Sequence, residues 1–318
     1  MRWRTQTLWI IVIPVTIVLA ILAVSWYYRT ARHTLPRIVV VLPSAVNPYW
    51  LDVRAGAEEA ASELRSEYTV QIEASQSMDA ANQTALLNAF ISRGDVKALV
   101  LGPASDTDTV PAVSKYSTAG IPVVVIDTEL NAKDVANYNV KIAAFIGSDN
   151  IDGGYKAGQL MVEALREKSN QRVLLLEGLP VHQSAIDRAA GFMRAVGNRM
   201  SVVRANGEWS RDKAQEIVAS RFSRERFGGI FGSNDEMALG AISALQALKL
   251  SRAEWPIIIG FDATHDGLAA VDRGDMFATI QQDARGLGKN GVLDAVKILR
   301  HDTSIPSREF LPVNIRRH

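Results

Sequence analysis

The 318-residue chain contains no cysteine. Disulfides, thiolate metal sites, a cysteine nucleophile and a lipoprotein anchor are thereby excluded. The redox compartment stays open, because a large domain can be stable outside the cell without disulfides. Net charge is nearly absent too. Lys and Arg number 35 against 34 Asp and Glu, which leaves neither a basic nucleic-acid face nor an acidic tail. Histidine is scarce, at 33, 182, 265, 301 and 318, and none of the five has the spacing of a zinc set. The chain has no P-loop, no Gly-x-Ser-x-Gly elbow, no internal repeat and no low-complexity block. It does have 47% hydrophobic residues, enough for a sizeable core, and a length that suggests about two domains.

One long apolar run stands out. Residues 8–28 carry no charge and lie between Arg2 and Arg4 on one side and Arg29, Arg32 and His33 on the other. As a helix this stretch spans roughly 31 Å, the thickness of a bilayer core. Trp9, Trp26 and Tyr27 sit near its ends, where amphipathic rings prefer the interface. Residues 1–35 are therefore expected to form an N-terminal membrane anchor, with the rest outside. Ala23-Val24-Ser25 also has the small-residue spacing of a signal cleavage site, so a soluble product after cleavage is the other reading. Continuation of the run through Trp26, Tyr27 and Tyr28 favours the anchor.

From Arg37 onward, apolar runs alternate with amphipathic stretches. Strands are expected at 38–42, 70–74, 98–101, 122–126, 143–146, 173–176, 201–203, 229–231, 257–260 and 277–280. Most are rich in Val, Ile and Leu without alternation, as strands covered on both faces should be. Helices are expected at 49–65, 80–92, 155–166, 185–196, 213–222, 236–249 and 286–299. Repeated strand–helix–strand units imply an α/β fold with doubly wound parallel sheets. In such folds ligands sit beyond the carboxyl ends of the strands. The loops there are rich in hydrogen-bonding side chains: 43–50, Asp127-Thr128-Glu129, 147–150, Ser233-Asn234-Asp235 and 261–264.

Seven collinear motifs carry a resemblance. They are Asn47-Pro48-Tyr49-Trp50, 120–124, 147–150, 188–192, 233–240, 260–262 and 278–282. Across residues 36 to 315 the chain resembles periplasmic sugar-binding proteins of the ribose, galactose and allose type, whose type I periplasmic binding fold is shared with lactose-repressor-like regulatory domains. The resemblance implies two lobes joined by three crossings, near 147–150, near Gln282 and near 307–310. Lobe 1 is then 36–147 plus 283–306, and lobe 2 is 148–282 plus 307–318.

A sugar offers apolar C–H faces to aromatic rings and hydroxyls that both donate and accept. By the resemblance, Asn47, Tyr49, Trp50 and Asp127 contact the ligand from lobe 1. Arg188, Trp209, Asn234 and Asp262 contact it from lobe 2, with Gln282 at a crossing. Each has a plainer alternative. Asn47, Asn234 and Asp262 suit helix N-caps, Asp127 a turn, Arg188 a solvated helix face, Gln282 a hinge hydrogen bond, and the three aromatics core or lobe packing. Asp235 is expected to cap the helix after it; His182 is expected in a surface loop, with a loop bordering the ligand as the other reading. Thr128 departs from the ribose-type pattern, in which Arg is frequent there, so ribose itself is in doubt. Gly286-Leu287-Gly288-Lys289-Asn290-Gly291 has dinucleotide-fingerprint spacing, but no acidic residue follows about 20 positions on, and helix packing accounts for it better.

The expected function is extracytoplasmic binding of a monosaccharide-like ligand by lobe closure, with no catalysis, no cofactor and no metal. The partners are the membrane through the N-terminal helix and either an ABC transporter permease or a sensor histidine kinase. In the kinase case the ligand could be a non-sugar polyol or a signalling furanose. A transcription factor would need a DNA-reading helix-turn-helix before Arg37, where the apolar run lies instead.

Overall fold

Runs of Val, Ile and Leu without polar interruption cannot leave one face to water, so they settle as strands covered on both sides. In the computed structural model, which describes residues 35–76 and 78–318, they build two six-stranded sheets. The first contains β1 (Arg37–Leu42), β2 (Thr69–Ala74), β3 (Val96–Leu101), β4 (Val123–Ile126) and β5 (Ile142–Ser148). The second contains β6 (Arg172–Glu177), β7 (Ser201–Asn206), β8 (Gly229–Gly232), β9 (Ile257–Asp262) and β10 (Ala278–Gln281). Two late strands complete them: β11 (Arg308–Leu311) joins the first sheet and β12 (Asn314–Arg316) the second. The strand orders are β2-β1-β3-β4-β5-β11 and β7-β6-β8-β9-β10-β12. The antiparallel pairing of β10 with β12 departs from the parallel pattern of the others.

Each lobe has an apolar cluster on either face of its sheet. In β1, Ile38, Val40 and Leu42 face the cluster shared with helices Pro48–Leu64 and Ala284–Leu299, whereas Val39 and Val41 face Leu87, Phe90 and Tyr116. In β6, Leu174 and Leu176 face one cluster and Val173 and Leu175 the other. This is the doubly wound two-lobed architecture that the resemblance implies. Helix Ala284–Leu299 returns to the first lobe and packs beside Pro48–Leu64, while helix Asn150–Leu165 packs beside Gln183–Val196 in the second.

The chain passes between sheets after Ser148, after Gln281 and between Leu311 and Asn314. The third position corrects the expectation. Residues 307–318 were assigned to lobe 2 from a crossing near 307–310, but β11 pairs in parallel with β5 and belongs to the first sheet. Its sequence, Arg-Glu-Phe-Leu, is charged and half exposed, so only the pairing makes it a strand. Helices Val110–Thr118 and Ala132–Asn137 were also not anticipated, and His265–Asp272 only through the cap reading of Asp262.

The expected anchor lies in residues 1–35, all but the last of which fall outside the described residues. Among the described residues no helix is long and apolar enough to cross a membrane.

Candidate functional site

Parallel strands send their carboxyl ends the same way, so in each lobe the loops that follow them gather along one edge. The two edges face each other across a cleft. Its cavity is lined by Asn47, Tyr49, Trp50, Asp127, Arg188, Trp209, Asn234, Asp262 and Gln282, all nine residues singled out from the sequence. Met78, Thr128, His182 and Ser184 complete the wall. The cavity is small, about 40 Å³, room for only a few waters, and the lobes touch across it in this structure.

Lobe 1 presents its side of the cavity from two loops. Asn47 caps helix Pro48–Leu64, its Oδ1 accepting from the Tyr49 N–H at 3.0 Å, and Pro48 starts that helix with a preset φ. This fixes Tyr49 and Trp50 on the first turn, with their rings edge-on at 5.3 Å. Trp50 lies over Gly102, just past β3, where a Cβ would fall 2.7 Å from the indole. Asp127, just past β4, accepts the Tyr49 O–H at 2.6 Å on Oδ1 and the Thr128 O–H at 2.8 Å on Oδ2. Burial first, then the Asp127 carboxylate, push the Tyr49 phenol well above its ordinary pKa, so it remains a donor.

Lobe 2 mirrors the arrangement. Trp209 lies against Gly178, just past β6, where a Cβ would come within 2.0 Å of its ring. Asn234 caps helix Asp235–Ala247 through Oδ1 to the Met237 N–H at 2.9 Å, and its Nδ2 reaches the Trp209 carbonyl at 3.3 Å. Asn47 and Asn234 thus each cap a helix, the plainer alternative, and also line the cavity. Arg188 is not on a solvated face. It is 4% exposed, donates to Asn150 Oδ1 at 2.8 Å and to the Ser233 carbonyl at 2.7 Å, and lies 3.8 Å above the Phe261 ring.

The Arg188 Nη1 stands 3.5 Å from Asp262 Oδ1, the same oxygen that accepts the Gln282 Nε2 at 2.7 Å. Asp262 caps no helix; Thr264 does that for His265–Asp272. Burial raises the Asp262 carboxyl well above the ordinary range, with the Arg188 charge opposing it. Gln282 Oε1 is buried without a protein partner, and such an acceptor is costly unless something donates to it.

Backbone strain concentrates here. Met78, Asp127, Trp209 and Asp262 line the cavity with φ of 41°, 68°, 59° and 113°. Residues other than glycine adopt this region only when their surroundings over-determine it, and such residues cluster at ligand sites.

Two expectations fail. His182 is no surface-loop residue: it is 2% exposed, its Nε2 lies 3.1 Å from the Ala104 carbonyl of lobe 1, and its Nδ1 accepts the Trp209 indole N–H at 3.1 Å. That pair of bonds assigns the proton to Nε2, and burial lowers its pKa. Asp235 does not cap; Asn234 does. Asp235 instead accepts from Thr279, Thr264 O–H and Thr264 N–H at 2.6, 3.0 and 2.7 Å, while burial pushes its carboxyl up to about 6.

The comparisons with known proteins agree with this geometry. A family model described as a periplasmic binding protein domain matches residues 38–303. The chain belongs to that family. The ribose import binding protein of Haemophilus influenzae is 32% identical to this periplasmic binding protein over 266 residues, covering 83% of this chain and 85% of the relative. A D-apiose import binding protein of Paraburkholderia graminis is 30% identical over 279 residues, with 86% and 85% coverage. An ABC transporter solute binding protein from Burkholderia multivorans, holding an unknown ligand built as alpha-D-erythrofuranose, superposes with a TM-score of 0.81 at 28% identity, covering 89% of this chain and 99% of the other. The fold is therefore the type I periplasmic binding fold, with two predominantly parallel-sheet lobes.

Of the four lining residues that this binding protein adds, Thr128 was visible as a departure from pattern. Ser184 and His182 share a loop and helix start after β6, where the polar run His182-Gln183-Ser184 was the available signal. Met78 has no such signal in its sequence neighbourhood.

Proposed function

We propose that this periplasmic binding protein is an extracytoplasmic receptor for a neutral, monosaccharide-sized polyol, which it captures between its lobes and delivers to the permease of an ABC importer. The observation that carries this reading is the cavity wall. Trp50 and Trp209 line it from opposite lobes, together with carboxylates, amides, a guanidinium and the unpartnered Gln282 Oε1. These are the partners that C–H faces and paired hydroxyls require. Two carboxylates against a single guanidinium disfavour an anionic ligand.

The lobes already touch across the cleft, at His182 with Ala104 and at Thr128 with Ser184, whose hydroxyl oxygens are 3.5 Å apart. A ligand bridging Asn47, Tyr49, Trp50 and Asp127 to Arg188, Trp209, Asn234 and Asp262 has greater affinity for the closed state and shifts the population by that difference. The relatives named above are import binding proteins, which favours a permease over a sensor kinase as the partner. The apolar run at 8–28 favours tethering at the outer face of the inner membrane.

Two experiments test this reading. The first takes the full chain in detergent and records its melting temperature and tryptophan fluorescence against pentoses, hexoses, tetroses, inositols and nucleosides. A ligand at a hundred times its Kd adds about 2.7 kcal/mol, or about 5–10 °C at 2–4 °C per kcal/mol. One sugar is expected to give this shift, and Asp127→Ala to weaken its binding by about tenfold or more, as loss of a charged hydrogen bond should. A folded protein that responds to no polyol would end the sugar reading. The second is small-angle scattering with and without saturating ligand. A smaller radius of gyration is expected on binding, and an unchanged radius would rule out closure.

A further inference from the structure

Asp127 is the carboxylate that lobe 1 offers to the cavity, and the protein already occupies half of it. An ionised carboxylate has about four acceptor positions. Tyr49 takes one on Oδ1 and Thr128 one on Oδ2. The two hydroxyls differ in how easily they yield. Thr128 Oγ1 also lies 3.5 Å from Ser184 Oγ, so its proton has a second acceptor when a ligand arrives. Among the described residues the Tyr49 O–H has no acceptor but Asp127.

Tyr49 also cannot swing away. It is 6% exposed, belongs to the core cluster of lobe 1, and is held on the first helical turn by the Asn47 cap. Its phenol oxygen therefore takes a fixed place at the Asp127 edge of the cavity, of about the size a ligand hydroxyl would fill. A ligand hydroxyl directed to Oδ1 from that side meets the phenol oxygen instead.

We propose that Tyr49 determines specificity by placing its own hydroxyl where a ligand hydroxyl would otherwise sit, so that the site selects a tetrose or a monodeoxy sugar over the fully hydroxylated parent. This rests on the reading of the cavity as a sugar site. Selectivity follows from both sides of the exchange. The parent sugar brings a hydroxyl that is displaced from its acceptor and must be buried without a partner, a loss that sites built on hydroxyl pairing discriminate strongly. The smaller sugar leaves the Tyr49–Asp127 bond intact. In Tyr49→Phe the space and the acceptor position both return to the ligand.

The test is calorimetric titration of the full chain in detergent with D-ribose, 2-deoxy-D-ribose, 5-deoxy-D-ribose, D-erythrose, D-allose, 6-deoxy-D-allose, D-galactose and D-fucose. The wild type is expected to bind at least one deoxy sugar or tetrose about tenfold or more tightly than its parent, as the loss of one buried hydroxyl pairing implies. Tyr49→Phe is expected to move that ratio by a similar factor toward the parent. Thr128→Val, which removes the yielding hydroxyl, should change affinities while leaving the ratio in place. A wild type that binds every parent more tightly than its deoxy forms overturns the proposal whatever becomes of the variant. So does a ratio unmoved by Tyr49→Phe while sugar still binds, and in both cases the sugar reading survives. If neither form binds any sugar of the series, the proposed role of Tyr49 falls, while the sugar reading is decided separately by the wider polyol panel above.

Discussion

Arg188→Ala should cost the folded protein about 3–5 kcal/mol where Asp262 is ionised, the usual penalty for removing one partner of a buried ion pair, and the loss should shrink in acid. Arg188 and Asp262 are 4% and 8% exposed, and no other cation is placed against that carboxylate in the structure's ion pairs among the described residues. The Asp262 carboxyl is raised from its ordinary 3.8 chiefly by burial, and Arg188 holds it lower than burial alone would. Since the folded pKa lies above the unfolded one, folding favours the protonated form, and stability falls as pH rises from about 3.8 toward the folded value.

Below the wild-type folded pKa, Asp262 is protonated in both proteins, so the variant's electrostatic deficit is absent there. Above it the wild type ionises at little further cost, whereas the variant continues to lose about 1.4 kcal/mol per pH unit until its own, higher pKa is reached. Urea unfolding over a pH series measures the deficit on both sides of the folded Asp262 value. Adding Asp262→Asn to Arg188→Ala should recover part of the loss where that carboxyl is ionised and little in acid. A deficit that stays constant across the series, with no recovery, would mean that Arg188 acts by packing on Phe261 rather than by charge.

The second large effect concerns glycines that no ligand touches. In lobe 2, helices Asn150–Leu165 and Gln183–Val196 cross at backbone contact. A Cβ on Gly154 would lie 2.1 Å from the Arg188 carbonyl oxygen, and one on Gly191 would lie 2.1 Å from that of Ile151. Lobe 1 repeats the device where helices Pro48–Leu64 and Ala284–Leu299 cross: Gly56 against the Arg285 carbonyl and Gly288 against that of Val53, each at 1.9 Å.

No rotamer change relieves a clash with backbone, so a helix must move. Gly191→Ala and Gly154→Ala are each expected to cost about 3 kcal/mol or more, at or beyond the upper end of ordinary overpacking. That corresponds to a fall in melting temperature of about 6–12 °C. The double variant should lose less than the sum, because one shift of the helix relieves both clashes. Gly94→Ala is the control: its φ is +71° with nothing within 4 Å, and it should cost only about 1–2 kcal/mol of left-handed strain. Because Arg188 sits on the crossing helix, Gly154→Ala should also weaken ligand binding, whereas Gly94→Ala should not. Matching losses at positions 94 and 191 would refute the close-crossing account.

The Gly286–Gly291 stretch now has its physical explanation. Gly288 lets helix Ala284–Leu299 approach helix Pro48–Leu64, and a Cβ on Gly286 would strike the Asp283 carboxylate, which accepts the Gly286 N–H at 2.8 Å as an N-cap. The spacing of a nucleotide fingerprint arose from helix packing and capping.

Strands such as β1 and β6 were legible because an uninterrupted Val, Ile and Leu run of that length has few other ways to hide from water. β11 and β12 were not, because Arg-Glu-Phe-Leu and Asn-Ile-Arg have no strand pattern of their own and become strands by pairing with β5 and β10. The third crossing was misplaced for the same reason. Seven of the nine candidate residues were legible because they sit in the short motifs that carry the resemblance; Asp127 and Trp209, in the loops after β4 and β7, came from the resemblance alone. His182 was not legible, because one histidine in a polar loop looks the same whether it faces solvent or reaches across a cleft to Ala104.

By itself, then, the sequence determined the order of the first ten strands and the longer helices, the doubly wound class and which loops carry the polar side chains. Those properties follow from local composition, from periodicity and from motif resemblance. Only the tertiary structure decided that Asn47 and Asn234 cap helices and line the cavity at once, that Arg188 faces Asp262 rather than water, and that the Tyr49 hydroxyl claims an oxygen of Asp127. The cap bonds are local, but the gathering of both caps at one cavity, and the Arg188–Asp262 and Tyr49–Asp127 contacts, bring together groups many tens of residues apart. The packing of two sheets and their crossing helices sets those contacts, and no local pattern encodes them.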